Sequence, residues 1–257
     1  MITSLGFDTI IISLVIGIAS GAIGAFIILR RMALVGDALS HVALPGIALA
    51  LSYHIDPFWG VLVFCLAAAV IVWTVGRKTK LYFDALIGLL FTFSLAIGIL
   101  LIPNAEILES LFGSFMPLTL PVFLVITGAG MLAIVLTFLL SKRFLFSIVS
   151  SDLAHIEIPR SGLYSLILFL IFSFVVALGI KLVGTLLMGA LTIIPASISK
   201  NVSRSMTGYI VMSALLGGFI SLFGVAFASR MNFLPGPVIV IFGIVLFVVS
   251  LFFVKKT

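Results

Sequence analysis

Of the 257 residues in this chain, 63% are hydrophobic and only 9% are charged, and the mean hydropathy is +1.46. A soluble domain carries about a quarter of its residues charged, so this composition excludes a water-wetted globule and requires lipid as solvent. The formal charge of +6 does not point to nucleic acid. The basic residues stand singly or in short groups at the ends of apolar runs, which is the pattern of topology signals. The single cysteine, Cys65, lies inside an apolar run and excludes a disulfide framework or a thiolate metal cluster.

Taken in chain order, the N-terminal MITSLGFDTI has no basic n-region, so the first hydrophobic run is expected to remain as a span. Apolar runs fall at 8–29, 33–53, 57–76, 84–102, 120–140, 163–180, 182–198, 208–229 and 237–254. At about 20 residues per span, these predict an all-α integral membrane protein with eight or nine transmembrane helices in a single domain over residues 1–257. Helices are expected because open strand edges have no place in lipid. The run at 182–198 is short and close behind its predecessor, so it is either a ninth span or a re-entrant segment.

Nine spans with the N-terminus outside put Arg30, Arg31, Arg77, Lys78, Lys80, Lys142, Arg143, Arg160, Lys200, Arg204, Lys255 and Lys256 inside, leaving only Lys181 and Arg230 outside. The positive-inside rule favours that orientation, with a cytoplasmic C-terminus. The outer segment 103–119 is expected to lie along the membrane surface. In the inner segment 141–162, Ser151 or Asp152 can cap a short helix that Pro159 stops. Small residues recur every fourth position at Gly17, Gly21 and Ala25, and again at Ser213, Gly217 and Ser221. Such stripes bring helices close, within the chain or across a dimer seam.

Chemistry is scarce in the apolar runs. Among the eight acids only Asp37 lies well inside one, and among the three histidines only His41 does. Four residues apart, they share one helix face. Counted from Arg31 at about 1.5 Å per residue, Asp37 is roughly 9 Å deep and His41 roughly 15 Å deep. An acid at that depth should face a bundle interior or an aqueous path. Pro45 has no N–H for the carbonyl of His41 and should kink the helix there. Gly36 and Gly46 flank the pair and admit another backbone or an ion.

Imidazole with carboxylate suits zinc, manganese or iron rather than calcium or magnesium. Two ligands from one helix hold a metal weakly, and a second copy facing the first would complete a shell. The alternative is a pair that only ties helices together. There is no P-loop, no H-E-x-x-H and no G-x-S-x-G, so any ATP must be bound by another polypeptide. An intramembrane metalloprotease would need a fuller ligand set than one acid and one histidine. A self-sufficient carrier, in which Asp37 and His41 relay protons, is the rival transport mechanism.

RRMALVGDALSHVALPGIALA, residues 30–50, resembles the second-span signature of the zinc/manganese/iron family of ABC-transporter permeases. DALIGLLFTFSLAIGILL (84–101), LFGSFMPLT (111–119), SSDLAHIEI (150–158), KLVGTLLMGALTIIPAS (181–197) and LPGPVIVI (234–241) resemble further family segments in the same order. The resemblance implies a homodimeric permease in a bacterial cell membrane, docked on cytoplasmic ATP-binding subunits and fed by an extracytoplasmic metal-binding protein. It implies no resident cofactor: the divalent metal is cargo, handled by Asp37 and His41, and ATP belongs to the partner subunit. It places a cytoplasmic coupling helix at Ser151, Asp152, Leu153, Ala154, His155 and Ile156.

Overall fold

In lipid every backbone N–H and C=O must be satisfied within its own segment. In the computed structural model, which describes residues 7–79, 83–101, 111, 120–149, 161–185 and 187–253, the regular elements are accordingly all α-helices. In chain order they are α1 (Phe7–Leu29), α2 (Val35–Ser52), α3 (Pro57–Lys78), α4 (Phe83–Leu101), α5 (Leu120–Leu139), α6 (Ser141–Val149), α7 (Ser161–Val183), α8 (Met188–Val202), α9 (Met206–Met231) and α10 (Pro235–Leu251). Among the described residues, 6 helices are long and apolar enough to cross a membrane, and α4 and α10 add shorter apolar helices. The chain is a multi-pass membrane protein.

The two small-residue stripes find each other. A side chain at Gly17 would meet the Gly217 carbonyl and Ser221, and one at Gly21 would meet the Ser213 carbonyl. Ser213 Oγ donates to the Gly21 carbonyl at 2.6 Å, and the Tyr209 hydroxyl to the Ala25 carbonyl at 3.2 Å. Both stripes are therefore consumed in zipping α1 to α9 within one chain, and neither is a free dimer seam.

The core element is α2. Only Asp37, Leu49, Leu51 and Ser52 of its 18 residues escape full burial. It is enclosed by α3, α4, α7 and α8. Outward-facing residues such as Leu100 and Phe93 on α4, Leu124 and Leu132 on α5, and Phe223 and Phe227 on α9 form an apolar exterior suited to lipid.

Two elements differ from the expected order. The run 182–198 is not one helix: α7 continues to Val183, the backbone turns left-handed at Gly184 (φ 83°), and α8 starts at Met188 and runs to Val202. A glycine accepts that backbone conformation without the steric cost a side chain would meet, so an apolar stretch is broken with no polar signal. Upstream, the stretch expected as a loop from 141 begins with α6. There Phe144 is fully buried and meets Phe26 edge-on, with ring centroids 5.5 Å apart. The segment 150–160, with the proposed cap at Ser151 or Asp152, and the surface segment 103–119, apart from residue 111, lie outside the described residues.

Basic groups from three elements gather where α7 begins. Arg30 donates to Ser165 Oγ at 2.6 Å. Arg77 lies against Gly162 and 4.9 Å over the Trp73 ring, whose Nε1 donates to the Gly162 carbonyl at 3.0 Å. Arg143 donates to the Tyr164 hydroxyl at 3.2 Å. The last residues of α1 and α3, the start of α6 and the start of α7 thus share one end of the bundle.

Candidate metal-handling site

The site is assembled at the first two turns of α2. After α1 the chain reverses through Arg31 (φ 59°), and the Val35 N–H donates to the Met32 carbonyl at 3.1 Å. Leu34 at the N-cap supplies no side-chain bond, so the incoming helix is set by packing. At Gly36 a β-carbon would stand 3.2 Å from the Gly189 α-carbon, 3.2 Å from Thr192 Oγ1 and 3.5 Å from Phe172 Cζ. A β-carbon there would sit in tight contact with α8 and touch α7, so the bare glycine helps α2 approach both closely.

Asp37 follows, half-buried, with its carboxylate against α8. A β-carbon at Gly189 would collide with Asp37 Oδ1 and stand 2.9 Å from both Asp37 Cγ and the Asp37 backbone nitrogen. No hydrogen bond or ion pair to the carboxylate occurs among the described residues. One turn on, His41 is 6% exposed and lies edge-on to Phe91 of α4, with centroids 4.7 Å apart at 87°. Its Nδ1 is buried with no partner among the described residues.

The depth of this assembly can be read from α7. Phe172, which touches Gly36, is the middle residue of the 23-residue Ser161–Val183. It lies roughly 16 Å from either end at the helical rise. The acid-bearing turn therefore lies beside the middle of α7.

Pro45 is buried within α2, four residues beyond His41, and the helix continues past it to Ser52. Gly46 serves a neighbouring backbone: Gly46 and Gly60 of α3 each face the other's carbonyl at a close crossing. Both flanking glycines thus admit helices. Cys65 Sγ donates to the Leu39 carbonyl at 3.5 Å and anchors α3 on α2. Among the described residues no group of three or more His, Cys, Asp or Glu side chains comes together. The proposed coupling residues 151–156 lie outside the described residues.

Three neighbours of the pair are not candidates from sequence: Gly189, Phe91 and Phe172. The stretch containing Gly189 stands out by resemblance, but a glycine carries no ligand chemistry. The two phenylalanines are indistinguishable by type from the 24 in the chain.

The ABC 3 transport family matches residues 4–254. The chain belongs to that family, the zinc/manganese/iron ABC-transporter permeases. Among curated ABC 3 relatives, a manganese import system permease protein, ScaB of Streptococcus gordonii, is 31% identical over 97% of this chain and 91% of its own length. A high-affinity zinc uptake system membrane protein, ZnuB of Haemophilus influenzae, is 29% identical over 96% of both. The solved structure of PsaBC from Streptococcus pneumoniae in complex with Fab superposes with a TM-score of 0.83 at 30% identity, covering 95% of this chain and 89% of that one. The all-α bundle described above is the ABC 3 permease fold, and the chain is a permease rather than a catalytic subunit.

Proposed function

We propose that this permease imports a divalent transition metal, manganese, zinc or iron by its donor set, with Asp37 and His41 as a transient station on the pathway. The observation that carries the reading is one helix face inside the bundle that bears an acid without a counter-ion and an imidazole whose Nδ1 has no partner, both among the described residues. Both groups are costly in lipid and are retained where function uses them. Carboxylate and imidazole are the donors that manganese and zinc accept, and relatives are named for import of each.

Each chain contributes two donors, which is weak holding and suits a station that must release its cargo. A second copy would supply the remaining donors, and this permease would work as a homodimer. Energy would come from ATP hydrolysed in cytoplasmic subunits docked on residues 150–158, with an extracytoplasmic metal-binding protein delivering the ion. Alternating access would then require α4 to carry Phe91 off His41. The charge distribution favours a cytoplasmic C-terminus.

The test is uptake of labelled manganese and zinc in vesicles containing the full transporter. Asp37→Ala should leave the dimer assembled and reduce uptake of both metals to background. Undiminished uptake by Asp37→Ala removes the site assignment. Uptake by the purified chain alone, driven by an ion gradient, replaces the ATP-driven reading with a secondary carrier.

A further inference from the structure

Gly189 is a place where the carboxylate of Asp37 meets another helix. The acid presses on a bare α-carbon in the first turn of α8, a helix that starts inside the bundle because the chain breaks at Gly184. A β-carbon there would occupy the position of Oδ1 and stand 2.9 Å from the Asp37 nitrogen. The carboxylate cannot simply swing aside to make room, because its own backbone is part of the collision. The glycine is also held in place: its carbonyl accepts from Thr192 Oγ1 at 2.7 Å, and Thr192 packs on Gly36 and on Gly24 of α1.

We infer that Gly189 is a positioning residue for Asp37, setting where the carboxylate stands and therefore how well it meets an arriving divalent cation. Two physical effects act together. The missing side chain leaves the carboxylate its volume. The first turn of α8 presents backbone N–H groups without intrahelical partners and the positive end of the helix dipole, which suits an acid that has no cationic side chain beside it among the described residues. Discontinuous helices in transporters place such half-helix ends at the binding site. The break at Gly184 has this consequence here: it puts the first turn of a helix beside Asp37.

The inference rests on the metal-station reading, and the two can fail separately. In the complete transporter, Gly189→Ala should raise the KM for manganese uptake roughly tenfold or more, the scale of losing a group that orients a metal ligand. The maximal rate should fall less. Gly217→Ala, at the α1–α9 crossing away from the site, should lower the yield of folded protein without moving KM. An unchanged KM in Gly189→Ala, or the same KM rise in Gly217→Ala, overturns the positioning role.

If Gly189→Ala assembles poorly, a thermal cycle in detergent decides. The fall in Tm caused by Gly189→Ala should be at least halved in an Asp37→Ala background, because the colliding carboxylate is gone. An equal fall in both backgrounds means the glycine serves helix packing alone and the inference is wrong. The cycle reads the contact itself, so it is independent of transport. Asp37→Ala alone tests the station.

Discussion

A buried imidazole whose Nδ1 has no protein partner forfeits about 1–3 kcal/mol of hydrogen bonding. The edge-on contact of His41 with Phe91 returns about 0.5–1.5 kcal/mol, which does not close the gap. A residue kept at such a loss inside a bundle is more economically explained by a ligand than by packing. Phe91 then acts as a cover, and removing it should uncover the ring. In Phe91→Ala, acylation of His41 by diethyl pyrocarbonate should accelerate several-fold relative to His54, which is exposed between α2 and α3 and serves as an internal reference. Mass spectrometry reads both sites, and an unchanged ratio means that some other group shields His41. At this scale the sequence made the polar members legible, since one acid and one histidine stand out against an apolar run. Their apolar neighbours were not legible, because Phe91 and Gly189 acquire a role only when α4 and α8 fold against α2.

Helices are specified here mainly by what lipid forbids, which is why the apolar runs predicted most elements to within a few residues. The exceptions have separate physical causes. The break between α7 and α8 rests on the left-handed backbone at Gly184, one glycine among 23. Helix α6 is too short and too charged to register as a span, yet Phe144 anchors it in the core. Glycine spacing made the α1–α9 contact foreseeable as a close approach, but not its partner. That contact has a sharp mutational signature. Gly21→Ala would drive a β-carbon into the Ser213 carbonyl and disturb a buried 2.6 Å bond, costing about 1–3 kcal/mol by overpacking. Gly88 of α4 has nothing within 4 Å of an added β-carbon. Gly88→Ala should therefore be neutral or stabilising by about 0.5–1 kcal/mol. Thermal unfolding of the two variants in detergent should move in opposite directions or differ by several degrees, and equal shifts would remove the steric account of the α1–α9 seam.

At the scale of the whole molecule, orientation follows from where charge collects. Arg30, Arg77 and Arg143 meet at the start of α7, so one end of the bundle carries basic groups from three elements. The positive-inside rule favours the proposed placement of such an end in the cytoplasm. On that proposal the carboxylate and imidazole would be reached from the opposite mouth during import. The chain supplies a clean background for checking it, because its only cysteine, Cys65, is fully buried between α3 and α2 and should resist thiol reagents. Tyr53, exposed between α2 and α3, and Thr79, exposed at the end of α3, lie at opposite ends of that span. In intact cells a membrane-impermeant maleimide should label Tyr53→Cys and leave Thr79→Cys unlabelled until the membrane is permeabilised. The reverse pattern would invert the bundle and turn the proposed importer's mouths around.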